Sequence, residues 1–318
     1  MTSFFITTTA RDTPWNPYSH ANYLRVIKAA EIGDKNKYEI ADHPKDADIV
    51  IFVEPQRKYQ SDIRREPMYR EYREKVMVLD FFDNPEPQIP GLYVGLGAKE
   101  SSSDLYQAGY YIRVADNEMI DPSRMKGVQQ DLLYSFIGKV SNSPIVRDGI
   151  MSLKHPRGFA LNQSSNQSDN DINYVNTIFR SKFVLAPRGI GPASWRLFET
   201  LKAGRVPVII SDEWAPPQGV RWTDISVRVS ESNIKQIPEI LESLESRSLE
   251  MGRMAREEWI RLFSKEGSFG WIAERLSDIH SKYMTGSKGE KKINHYLYHS
   301  SIREKREILK EIISVRLK

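Results

Sequence analysis

The stretch SKFVLAPRGIGPASWRLFETLKAGRVPVIISD, from Ser181 to Asp212, holds the residues best suited to gather round an anion. Gly189 and Gly191 let the backbone turn sharply and approach a ligand closely. Ser194 stands where an N-cap hydroxyl belongs, and the free N–H groups of the helix it opens face the loop. A helix start of this kind favours a phosphate, most often a diphosphate. Arg188 adds fixed positive charge and a forked set of donors, and Arg196, one turn into the helix, offers a second. Glu199 sits mid-helix among Leu197, Phe198 and Leu201, where a carboxylate beyond a phosphate site can accept hydrogen bonds from a ribose diol. Each feature also has an ordinary reading. Two glycines make a turn, and Arg196 with Glu199 makes a surface pair worth ~0.2–0.5 kcal/mol. Their order and spacing favour a nucleotide.

A group-transfer reaction at such a site needs a base, expected on a loop at the carboxyl end of a strand in the first part of the chain. Asp12 and Asp83 are the favoured candidates, with His20, Glu54 and Asp80 as the others; every one of them also suits a cap or a turn. Trp15 and Tyr18 offer faces on which a sugar can stack, or simply pack. No metal is expected. The D-x-D triplet Asp169–Asp171 lies in a polar run before a helix, where acidic residues complement the helix dipole. His295 and His299 are spaced i, i+4 but have no acidic partner between them, and Gly91, Gly95 and Gly97 read as turns.

The elements that must position these groups follow from the apolar pattern. SFFITTTA, ADIVIFVEP and KVMVLDFFDNP are continuous β-branched and aromatic runs, with GLYVGLG and GYYIRV as further short strands and a helix at 21–32. Strands without polar alternation are buried on both faces, which points to a parallel α/β sheet. A second set begins near DLLYSFIGKV and runs through the helix INYVNTIFRS to the anion-binding segment, the strand ISVRVS and two long helices. The expected division is a lobe at 1–125, a nucleotide-binding lobe at 126–285 and a tail at 286–318. The whole chain of 318 residues has a net charge of +4 and no cysteine, which excludes disulfides and a thiolate nucleophile. The tail holds nine Lys/Arg and four Asp/Glu, so the basic surplus resides there. With Ile302, Ile308, Leu309, Ile312 and Ile313 it reads as a charged helix with one apolar side, suited to an anionic membrane or a partner protein. Two aromatics, Tyr296 and Tyr298, are too few to stack nucleic acid. A cytoplasmic protein is the expectation, since no run approaches the length of a membrane span and the N-terminus lacks a basic flank.

The central segment resembles the signature of the exostosin family of glycosyltransferases. The matching residues are Pro187, Arg188 and Gly189, then Ser194, Arg196 and Glu199, then Gly204, Pro207, Val208 and Ile209. Phe136, Gly138 and Arg147 match upstream, and WAPPQGVRWTDISVRVSE is similar downstream, so the resemblance covers about residues 130 to 245. It implies a GT-B-like fold of two Rossmann-like lobes with a C-terminal crossing helix. It implies donor contacts from Arg188, Ser194 and Arg196 to the diphosphate, from Glu199 to the ribose, and from Arg147 to the phosphates from the other side. The implied reaction is inverting transfer from a nucleotide-sugar, expected to be a UDP-sugar, to a surface polysaccharide or lipopolysaccharide acceptor, with no cofactor. A fucosyltransferase-like enzyme using a GDP-sugar and a non-catalytic nucleotide-binding protein are the alternatives.

Overall fold

The computed structural model describes residues 1–9, 17–53, 60–102, 104–125, 127–163 and 172–285. Asp12, Trp15, Glu54, Asp169, Asp171 and the tail from 286 onward lie outside the described residues. The chain divides into two α/β units, Met1–Gly109 with Ile272–Lys318 and Tyr110–Trp271.

The first unit is built on a parallel sheet of β1 (Ser3–Thr8), β2 (Glu39–Ile40), β3 (Ile49–Val53), β4 (Val76–Asp80), β5 (Gly91–Tyr93) and β6 (Tyr106–Ala108), in the order β2-β1-β3-β4-β5-β6. Its helices are α1 (Pro17–Ile32), α2 (Ser61–Arg65) and α3 (Pro67–Glu71). Every residue of β3 and β4 is buried, as their unbroken apolar runs require of strands covered on both faces. Asp80, at the end of β4, is the exception in chemistry. Its carboxylate accepts from Gln60 Nε2 at 3.0 Å and from the Phe82 N–H at 2.8 Å, and burial pushes its pKa up to about 7. Gly95 is a packing glycine: a Cβ there would stand 2.1 Å from the Asp83 carbonyl oxygen.

The second unit has β7 (Leu132–Gly138), β8 (Gly158–Asn162), β9 (Ser181–Pro187), β10 (Val206–Ile210) and β11 (Val227–Arg228), all parallel, in the order β11-β10-β9-β7-β8. The connecting helices are α4 (Pro144–Met151), α5 (Ile172–Arg180), α6 (Trp195–Lys202), α7 (Trp222–Ile225), α8 (Ile237–Leu244) and α9 (Ser248–Leu262). Alternation along the strands gives the sheet two cores. Phe136, Phe183, Leu185, Val208 and Ile210 pack with Val146, Ile237 and Met251 on one side, while Ile137 and Val184 pack with Tyr174, Val175, Ile178 and Phe179 on the other.

The expected α/β class with two parallel-sheet lobes is what the chain has. Three details differ. The division falls at Gly109/Tyr110 rather than near 125, because Ile120 is buried with Tyr174 and Val175, and Lys202 Nζ donates to the carbonyls of Val114, Ala115 and Asn117. GYYIRV is not a strand: it leads into a 3-10 turn that begins at Ile112 and ends at Asp116. Strand β8 has no counterpart among the expected strands, because GFALN is half-exposed at the sheet edge and has no continuous apolar run. The last helix among the described residues, α10 (Ser268–Thr285), returns to the first unit, where Gln107 donates to Asp278 at 3.0 Å. Among the described residues no helix is long and apolar enough to cross a membrane.

Candidate functional site

Strand order marks a candidate crevice in the second unit. From β7 the chain moves to the edge at β8, then returns to the opposite side of β7 as β9, so the crevice at the carboxyl ends of β7 and β9 is a topological switch point. Loops diverge at such a point, and ligands bind there. Gly138 and Lys139 lie at the end of β7, and the loop from Arg188 to Ser194 at the end of β9.

Three guanidinium groups converge on this crevice. Arg147, on α4 and buried, gives Nε and Nη2 to the Arg188 carbonyl at 3.2 and 3.0 Å and Nη1 to the Lys139 carbonyl at 2.6 Å. It therefore pins both loops by their backbones. Burial, then the charges of Arg196 and Arg188, push its pKa down to about 10. Arg196 donates to the Ile137 carbonyl and lies over the rings of Phe136 and Tyr174, 4.8 and 5.6 Å from their centroids. The missing side chain of Gly138 makes room for this packing. A Cβ there would come within 3.0 Å of Arg196 Nη2 and 3.5 Å of Arg147 Nη1.

The loop itself is tight. The Arg188 N–H donates to the Ile210 carbonyl at 3.0 Å and the Gly189 N–H to the Gly191 carbonyl at 3.1 Å. Ser194 occupies the N-cap position of α6 as expected, with extended backbone, but its hydroxyl makes no capping bond. The Leu197 N–H turns back to the Ser194 carbonyl at 3.2 Å, and no capping hydroxyl competes for the start of α6, where the helix dipole places partial positive charge.

Glu199 is buried on α6, and its carboxylate accepts from the Tyr174 hydroxyl at 2.5 Å. Arg196 and Glu199 are therefore no surface pair. One is drawn to a strand carbonyl and aromatic faces, the other to a tyrosine on α5. Arg188, one-third exposed at its side chain, donates Nε to Glu231 Oε1 at 3.0 Å. Glu231 follows β11, and its own N–H donates to Asp212 Oδ1 at 3.1 Å, while the Asp212 N–H reaches Glu231 Oε1 at 3.3 Å. Tyr174 and Glu231 are the site residues that sequence reasoning missed. The signals for Glu231 were its place at the end of the family-like element WAPPQGVRWTDISVRVSE and, as a carboxylate, its position directly after the strand ISVRVS.

Five sequence-selected residues of the second unit, Arg147, Arg188, Gly189, Ser194 and Arg196, thus meet at one sheet edge, with Glu199 one turn behind. Arg147 holds the loops rather than projecting from them. In the first unit the corresponding switch point lies between β1 and β3, which flank each other though β2 intervenes in sequence. Asp83 follows β4 instead, and His20 is on α1.

Comparison with known proteins agrees with the motif. Residues 111–244 match the exostosin GT47 domain. A probable glucuronoxylan glucuronosyltransferase of Arabidopsis thaliana, IRX7, is 39% identical over 114 residues, 33% of this chain and 25% of that one. The exostosin-1 homolog of Caenorhabditis elegans is 35% identical over 105 residues, 31% and 28% of the two chains. The chain thus spans about a quarter of the length of these curated relatives. Among solved structures, Anabaena Alr3699/HepE in complex with UDP and glucose has a TM-score of 0.45 at 10% identity, covering 86% of this chain and 99% of that one. That likeness is faint, and the α/β class rests on the two parallel sheets themselves.

Proposed function

From the exostosin domain at residues 111–244 we propose that the chain is a glycosyltransferase whose donor is a nucleotide-sugar, a UDP-sugar, with its diphosphate held at the β7–β9 crevice. The observation that carries this is the convergence of Arg147, Arg188 and Arg196 on a glycine loop that opens into an uncapped helix. Positive charge fixed in advance at a leaving diphosphate stabilises the transition state more than the ground state. Arg188 and the start of α6 take the phosphates, and Glu199, fixed by Tyr174, takes the ribose.

The acceptor is proposed to be a glycan or lipid-linked glycan attacked in line, with inversion, once a base has taken its hydroxyl proton. Asp12 and Asp83 remain the proposed bases. With the leaving group neutralised by arginine, the proposed transfer uses no metal. The basic tail is the segment proposed to touch anionic membrane, on its charge and apolar pattern alone.

The reading is tested by thermal shift of the full chain with UDP, GDP, ADP and CDP, with and without chelator. A ligand that binds only the folded state raises the melting temperature with concentration. UDP is expected to do so in chelator as well. A response to GDP instead would change the donor class, and no response to any diphosphate would end the donor-site reading.

A further inference from the structure

We propose that Glu231, braced by Asp212, is a positioning residue that sets the orientation of Arg188 for the diphosphate. This rests on the donor site proposed above and adds a residue to it. Arg188 is gripped at both ends: Arg147 holds its carbonyl oxygen through two donors, and Glu231 holds its side chain at Nε. The bond at Nε leaves the Nη end of the guanidinium without a hydrogen-bond partner among the described residues. Glu231 is held in turn. Its backbone N–H binds Asp212 Oδ1 and its carboxylate accepts the Asp212 N–H, which ties the start of the segment after β11 to the loop after β10. The grip on Arg188 is therefore built from three neighbouring loop ends of one sheet, those of β9, β10 and β11.

A carboxylate beside an anion-binding arginine acts in two opposed ways. It offsets the arginine's charge, which weakens the pull on phosphate, and it fixes a long side chain in one rotamer, which strengthens binding. The balance falls to the second. Both side chains are partly solvated, 33% and 24% exposed, so the offset is screened. Arg147 and Arg196 keep the crevice positive regardless. A free arginine side chain, by contrast, must give up much of its rotamer freedom on each binding event.

The test is calorimetry on full-length wild type, Glu231→Ala and Glu231→Gln, with UDP and GDP in parallel and with the matching nucleosides. For Glu231→Ala, affinity for the bound diphosphate is expected to fall roughly tenfold while nucleoside affinity holds. Glu231→Gln, whose amide oxygen still accepts from Arg188 Nε, is expected to stay within about threefold of wild type. Unchanged or raised diphosphate affinity in Glu231→Ala overturns the proposal, because the carboxylate then acts as a neutraliser or does nothing. An equal loss in Glu231→Gln overturns it too, since geometry survives there, as does a parallel loss for nucleoside. Wild type that binds neither diphosphate takes down the donor site and this inference together.

Discussion

The guanidinium of Arg147 holds the carbonyl oxygen of Arg188 through two donors, at 3.2 and 3.0 Å, so one arginine fixes the backbone from which another arginine projects. A positive side chain taken out of water and set beside two others is unfavourable, and its pKa is pushed down by the burial first and by the charges of Arg196 and Arg188 after it. What retains it is the pair of carbonyls at the ends of β7 and β9, which need a forked donor.

Replacing Arg147 by lysine should therefore damage the site although the charge is kept. An ammonium cannot span two loop carbonyls with the planar geometry of a guanidinium. Leaving a buried acceptor unsatisfied costs about 1–3 kcal/mol, so the unfolding free energy from urea titration should fall by that amount and UDP affinity roughly tenfold. Wild-type values for both in Arg147→Lys would show that the clamp is not needed.

Arg188→Ala and Glu199→Ala address the donor directly. A hydrogen bond to a charged group contributes ~1.5–3 kcal/mol, which predicts roughly tenfold to hundredfold weaker nucleotide binding. Calorimetry is the measurement, with circular dichroism to confirm the fold. Unchanged affinity in both variants would sink the assignment.

Gly138→Ala probes the close approach at the end of β7. The new Cβ would meet Arg196 Nη2 at 3.0 Å and Phe136 Cζ at 3.2 Å, so the guanidinium, as the flexible partner, must swing away. Nucleotide affinity is expected to drop severalfold with little change in melting temperature. A large loss of stability with intact binding would mean that the strand moves instead.

Asp80 predicts a pH dependence unrelated to the site. Its folded pKa, about 7, is above the ordinary carboxylate value because of burial. Between the unfolded and folded pKa values the native state binds the extra proton, so stability falls as pH rises from about 4 to about 7 and then levels off. The slope from this group is about 1.4 kcal/mol per pH unit at most. Asp80→Asn should flatten that part of the stability curve measured by urea unfolding. An unchanged slope would place the titration elsewhere.

The base is tested by Asp12→Asn and Asp83→Asn, with His20→Ala and Glu54→Gln as controls. The correct aspartate should cut turnover by ~10²–10⁴-fold and leave nucleotide affinity within about a factor of two. Near-normal turnover in both would pass the role to a control residue or a water.

The segment from Ser181 to Ile210 was legible because local rules set it. A continuous apolar strand, two glycines and an amphipathic helix leave one reading, and β9, α6 and β10 occupy the expected places. Glu231, Tyr174 and the clamp role of Arg147 were not legible. Each depends on which strands become neighbours, and the return of the chain across β7 to form β9 is a tertiary fact with no local signature. The same holds for Ile112–Asp116. Its apolar residues satisfy a strand pattern, yet they are buried against α6 and its lysine rather than in a ladder.

That lysine gives the molecule a built-in reporter. Lys202 closes α6 at the end opposite the glycine loop and grips the carbonyls of Val114, Ala115 and Asn117, while burial pulls its pKa down to about 8. Helix α6 is short, with one end at the glycine loop of the proposed donor crevice and the other bolted to this turn. Ligand that steadies the first end steadies the second, so amide hydrogen exchange at 112–117 should slow on nucleotide binding. On the proposed donor site, occupancy of the crevice would thus be read at the far end of α6 from the glycine loop.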